Sequence, residues 1–128
     1  MNPDFVFVYG GLMRGFDLHY HMASLEFVGQ GTIEGTLLAL GPYPGLVDGG
    51  GAVRGEVYRV DDMPSALEVL DDVEDYNPTD PDAGPYVRRI QPVRMDDGRI
   101  IDAWVYRYNR TAPGAAIVPD GDWRKAKF

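Results

Sequence analysis

The chain has no cysteine in its 128 residues, which excludes disulfides, thiol catalysis and cysteine-ligated metal sites. Positive charge is scarce. Twelve Lys and Arg stand against twenty Asp and Glu, a formal net charge of −8. Such a chain repels nucleic acid and anionic membranes, so neither is expected as a partner. No apolar run approaches the length that crosses a bilayer, and Asp4 sits where a secretory signal would carry basic residues. A cytoplasmic protein is the expectation from these absences. Histidine is limited to His19 and His21, whose side chains diverge on a helix and lack a third ligand, so no metal is expected. Ser24 has none of the glycine context of a nucleophilic serine.

What the chain does contain is a hydrophobic fraction of 45%, with 12% aromatic residues, enough to bury a core. We expect one domain over residues 1–128, its segment 111–128 being an irregular tail. The most informative string is Tyr9-Gly10-Gly11-Leu12-Met13-Arg14-Gly15, directly after Phe5-Val6-Phe7-Val8. An unalternated β-rich run reads as a strand buried on both faces. Glycines at its end let the backbone bring bare N–H groups to a carboxylate or oxyanion. The same string also serves as a plain tight turn. Nucleotide loops are excluded by spacing: Gly10 to Gly15 is followed by Phe16, and Gly50 to Gly55 by Glu56, where a phosphate loop needs Lys. Neither cluster has the G-x-G-x-x-G spacing of a dinucleotide site, and no cofactor is expected.

Further along, residues 17–25 have modest helical character, and 26–40 alternate around Gly29, Gly31 and Gly35, as one or two bent strands would. Residues 41–45 read as a turn, 49–51 as a glycine run and 52–60 as a strand. A helix is expected from Asp61, Asp62 and Pro64 to about residue 74. Residues 75–85 carry turn chemistry. Strands over 86–95 and 99–108 flank Asp96-Asp97-Gly98, a hairpin signal. Ile117, Val118 and Trp123 suggest that part of the tail docks. Many bent strands with few short helices indicate an α+β fold, a small mixed β-barrel.

On the helix, Met63, Ala66, Leu67, Leu70 and Val73 form one apolar stripe at 100° per residue. Glu74 projects between Leu67 and Leu70, onto the face that should meet the core. A carboxylate so placed loses solvent, and Asp71, Asp72 and Asp75 add like charge; both effects raise its pKa toward a value suited to proton transfer. Asp71, on the flank of the stripe, is the rival carboxylate, and spacing alone does not separate the two.

In order along the chain come Tyr9 to Gly15, Tyr43-Pro44-Gly45-Leu46, Gly55-Glu56-Val57-Tyr58, Leu70-Asp71-Asp72-Val73-Glu74, Tyr86-Val87-Arg88, Ala103-Trp104-Val105-Tyr106 and Gly121-Asp122-Trp123. This succession resembles the gamma-glutamylcyclotransferase-like superfamily, especially its small AIG2-like members. The resemblance implies that Glu74 is the catalytic acid/base and that Tyr9, Gly10, Gly11, Leu12 and Tyr86 bind substrate. It implies cyclisation of a γ-glutamyl amine or amide to 5-oxoproline with release of the amine, with no metal or organic cofactor. The family loop usually has Ser or Thr where this chain has Gly11, which bears on substrate identity. Arg14, Arg88 and Arg89 are further charged candidates, of which Arg88 and Arg89 point to opposite faces of a strand. A non-catalytic module binding small acidic metabolites in the same pocket is the alternative. The sequence names neither the amine released nor the oligomeric state.

Overall fold

A computed structural model describes residues 3–126. Phe5–Val8 forms strand β1, and its apolar run is explained by its neighbours: β3 pairs with it antiparallel and β5 parallel, so Val6, Phe7 and Val8 are buried. The remaining strands are β2 (Glu26–Ala39), β3 (Pro44–Arg59), β4 (Tyr86–Met95), β5 (Ile100–Tyr108) and the short β6 (Ala116–Ile117). Their order is β3-β1-β5-β4-β2-β6, and β2 also pairs with β3, closing five strands into a mixed barrel. Val53, Val57, Val93 and Val105 fill its interior.

Closure depends on the bending of β2. Its register against β3 shifts between Phe27 and Gly29 and again between Glu34 and Thr36, so glycine-marked irregularities lie where the sequence places them. The contact with β4 is short, only Gly31 with Met95 and Thr32 with Arg94. A Cβ at Gly31 would lie 2.7 Å from the Arg94 carbonyl oxygen, so only glycine lets these two backbones meet.

Three expectations are corrected. Residues 17–25 hold only a single 3₁₀ turn, His19–His21, because the segment is tied down by loop hydrogen bonds and has no continuous apolar stripe. Strand β3 begins at Pro44 and continues through the glycines at 49–51, so the turn is shorter than expected, with Leu40 N–H donating to Tyr43 O at 3.0 Å. In the tail, Val118 and Trp123 are buried, but Ile117 is 69% exposed, since β6 pairs through its backbone with the edge of β2. The hairpin at 96–98 forms as expected, with Gly98 at φ 94°.

Helix α1 (Met63–Val73) is set by its ends. The Asp62 side chain accepts from Ser65 N–H at 3.3 Å, and Pro64 occupies the first turn, where no amide partner is needed. Met63, Leu67 and Leu70 bury the apolar stripe, each contributing about 2 kcal/mol. At the other end Asp75 turns left-handed, φ 56°, and Tyr76 N–H returns to Asp71 O at 2.8 Å. Glu74 is thereby the last residue before the chain turns away.

Candidate active site

The loop after β1 shows an asymmetric use of its backbone. The carbonyl of Gly10 accepts from Met13 N–H at 3.1 Å, that of Gly11 from Leu18 N–H at 3.1 Å, and that of Leu12 lies 2.9 Å from His19 Nδ1. The amides of Gly10, Gly11 and Leu12, by contrast, have no partner among the described residues. Carbonyls engaged and donors left over make a segment ready for an anion.

Space around the two glycines differs. A Cβ at Gly10 would lie 2.8 Å from Pro44 Cγ, whereas at Gly11 it would make ordinary contact with Leu18, 3.5 Å away. Gly10→Ala should therefore destabilise the fold by about 1–3 kcal/mol, by overpacking against a ring that cannot swing aside. Gly11→Ala should stay within about 0.5 kcal/mol of the parent. Urea unfolding of the pair checks the contrast. The absence of Ser or Thr at position 11 is thus not imposed by crowding.

Glu74 stands across the same cavity, which has a volume of about 580 Å³ and is lined also by Tyr9, Gly10, Gly11, Leu12, Tyr86 and Tyr106. The residues to which the family resemblance gives a catalytic or binding role all border this one space, whereas Asp71, Arg14, Arg88 and Arg89 do not. Burial pushes the Glu74 carboxyl up to about 7. Its side chain has no hydrogen bond or ion pair among the described residues, because the nearby phenols are committed elsewhere. Tyr9 Oη donates to Tyr106 O at 2.5 Å, Tyr86 Oη to Pro44 O at 2.6 Å, and Tyr106 Oη to Asp71 Oδ1 at 2.5 Å. Desolvation and then the Glu74 charge raise the pKa values of Tyr9 and Tyr86, so both stay protonated donors.

Asp71 is separated from Glu74 by its partners. It is 7% exposed and accepts from Arg88 Nε at 2.8 Å and Nη2 at 3.2 Å, as well as from Tyr106. It borders a different groove, with Arg88 and Trp104, and its lone pairs are spoken for. Arg89 is exposed on the other side of β4. Arg88 is therefore a structural cation, stacked beside Trp104 with 4.9 Å from its guanidinium carbon to the ring centroid.

Arg14 also turns away from the cavity. Its guanidinium covers the Phe27 ring at 3.8 Å, and its Nε reaches Glu56 Oε2 at 3.3 Å. Glu56, only 1% exposed, takes four donors: Arg14 N–H at 3.0 Å, Arg14 Nε, Tyr58 Oη at 2.9 Å and Arg124 Nη2 at 3.1 Å. Burial alone would raise its pKa; the Arg14 amide, the Tyr58 hydroxyl and the Arg14 side chain outweigh that and hold it below the usual range. From the sequence, Glu56 serves to exclude a phosphate loop and as part of a strand match, with no partner assigned to it. An acidic residue directly before Val57-Tyr58, in a strand expected to pack on the core, was the available signal that a cation partner existed. Tyr106 and Trp123, which complete the wall, carried no signal distinguishing them from core aromatics.

Among the described residues no three His, Asp or Glu side chains converge as a metal site requires. No described helix is long and apolar enough to cross a membrane.

The chain belongs to the family described as gamma-glutamyl cyclotransferase, AIG2-like, whose model matches residues 6–125. Among relatives, the gamma-glutamylcyclotransferase family protein YtfP of Escherichia coli strain K12 is 34% identical over 119 residues, spanning 92% of this chain and 94% of that protein. The solution structure of ytfP from Escherichia coli superposes with a TM-score of 0.63, covering 93% of this chain and 95% of that one. A crystal structure of an AIG2-like protein from Mus musculus gives 0.69 at 30% identity, over 88% of this chain and 82% of that chain.

Proposed function

We propose that this protein cyclises a γ-glutamyl amide to 5-oxoproline and releases the amine, with Glu74 carrying the proton. The observation that carries the reading is the Glu74 carboxyl, unpaired and raised to about 7, in one cavity with the unpaired amides of Gly10, Gly11 and Leu12. The substrate's α-carboxylate is held by those amides. Its α-amine attacks its own γ-carbonyl carbon; that C–N bond forms as the bond to the leaving nitrogen breaks. Glu74 takes the proton from the attacking amine and returns it to the leaving nitrogen, so no net proton or electron is consumed. Because both reacting groups belong to one molecule, the cavity has chiefly to hold a folded conformer.

Incubation with a panel of γ-glutamyl amines, followed by mass spectrometry, tests the proposal. The expected product is 5-oxoproline with one equivalent of amine. Free glutamate would identify a hydrolase instead, and absence of any product across the panel would leave a binding module.

A further inference from the structure

The hydroxyl hydrogens of Tyr9, Tyr86 and Tyr106, which share the cavity with Glu74, are all spent on acceptors other than Glu74. Two of those acceptors are backbone carbonyls, Tyr106 O for Tyr9 and Pro44 O for Tyr86, which the fold supplies whatever the side chains. The third is a side chain. Tyr106 Oη donates to Asp71 Oδ1 at 2.5 Å, and Asp71 is itself held by Arg88 Nε at 2.8 Å and Nη2 at 3.2 Å. Tyr106 therefore links two spaces: it lines the cavity with Glu74, while its acceptor borders the groove beside Arg88 and Trp104. Asp71 and Glu74 are three residues apart, and the Glu74 N–H still closes a helical turn on Leu70 O at 2.9 Å. Side chains so spaced begin about 5–6 Å from each other. A phenol oxygen bound to the first is within reach of the second, whose side chain is flexible.

Resting on the reading of Glu74 as the proton carrier, we infer that Asp71 is a positioning residue: by binding the Tyr106 hydroxyl hydrogen, it keeps that donor from Glu74 and so preserves Glu74 as a base. A phenol donating to Glu74 would stabilise its charged form and weaken it as a base. The other titratable groups that border the cavity are Tyr9 after β1, Asp17 in the loop, Tyr43 between β2 and β3, Asp75 beside Glu74, and Tyr86 on β4. Tyr9 and Tyr86 are committed to carbonyls, Asp17 and Asp75 are exposed, and Tyr43, 52% exposed, has water for its hydroxyl. Of the cations on β4 and β5, Arg88 is bound to Asp71 and Arg107 to Asp48. Tyr106 is thus the phenol whose direction of donation depends on one replaceable side chain.

Carbon-13 NMR of protein labelled at the glutamate carboxyl follows Glu74 directly, its signal being the one missing from Glu74→Gln. Asp71→Ala combined with Arg88→Met removes one negative and one positive charge together, which strands no buried cation and leaves the local net charge unchanged. In this pair the Glu74 midpoint should move from about 7 to a proton concentration at least about tenfold higher. The low-pH limb of kcat/KM should move with it. Adding Tyr106→Phe to the pair should bring the midpoint to within about twofold, in proton concentration, of the Tyr106→Phe single variant. A merely structural role for Asp71 would not depend on the Tyr106 hydroxyl. Asp71→Asn keeps the shape and a weaker acceptor, so it should give a smaller displacement with the same sign and the same dependence on Tyr106. It decides the matter if the pair does not fold. A midpoint unmoved by the substitutions at position 71, or moved equally with and without Tyr106→Phe, would overturn the inference. The titration needs no turnover. A midpoint governed by Asp71 in a protein that forms no 5-oxoproline sinks only the cyclisation reading, and 5-oxoproline formation with an unmoved midpoint sinks only this inference.

Discussion

Glu74→Gln is expected to lower 5-oxoproline formation at least a hundredfold while leaving the barrel folded. Gln keeps the shape and fills the same place at the end of α1, but it cannot accept the amine proton. Positioned general bases supply on the order of 10²–10⁴ in rate, which sets the size of the loss. The pH profile gives a sharper test than the rate alone. The base form of Glu74 is required, so kcat/KM of the parent should rise as pH passes upward through about 7. In Glu74→Gln this limb should vanish from whatever activity remains. A profile of the variant with the same inflection near 7 would assign the titration to another group.

The same shift predicts an opposite effect on stability. Burial raises the Glu74 pKa from its ordinary 4.5 to about 7, so the folded state holds the proton to higher pH than the unfolded chain does. The parent therefore suffers no penalty below pH 4.5, and loses stability as pH rises from there to about 7, as a desolvated, unpaired charge forms in the folded state. Gln carries no such charge. Glu74→Gln should be more stable than the parent at pH 8 by on the order of 2 kcal/mol, and no more stable at pH 4. A stabilised but inactive variant is the signature of a group held for chemistry at the expense of the fold. Thermal melts at the two pH values check it.

The sequence and the structure agree most where the pattern was periodic. The apolar run Phe5–Val8 specified a doubly covered strand, the stripe on α1 specified its buried face, and the glycines of β2 marked its bends. The pairing that closes the barrel was not legible. It rests on two residue pairs between β2 and β4, at Gly31 and Thr32, and long-range pairings leave no local trace in a sequence. In the same way, helical spacing placed both Asp71 and Glu74 near the core without ranking them. The ranking came from partners distant along the chain: Arg88 and Tyr106 neutralise Asp71, while Glu74 is left without one.

Glu56 shows the reverse arrangement, and substituting it should have the largest effect on the fold of any change outside the cavity. Its carboxylate joins three segments, since Arg14 belongs to the glycine loop, Tyr58 to β3 and Arg124 to the C-terminal turn. Glu56→Ala leaves two guanidinium groups, one backbone N–H and one phenol without their acceptor. Loss of one partner from a buried, hydrogen-bonded ion cluster costs about 3–5 kcal/mol. The arginine side chains are half-exposed and can turn to water, which places Glu56→Ala toward the lower end of that range. Glu56→Gln keeps the shape and should cost less, since a neutral amide oxygen still accepts. The pH dependence has the opposite sign to that of Glu74. The Glu56 pKa is lowered in the folded state, so its contribution is present above the ordinary carboxylate pKa and fades as pH falls through the folded value. The gap between parent and Glu56→Gln should therefore narrow in acid, whereas the gap between parent and Glu74→Gln opens as pH rises from about 4.5 to about 7. If Glu56 also fixes the loop amides that we assign to the substrate carboxylate, Glu56→Gln should raise KM more than it lowers kcat. An unchanged KM in a folded variant would confine Glu56 to the stability of the barrel.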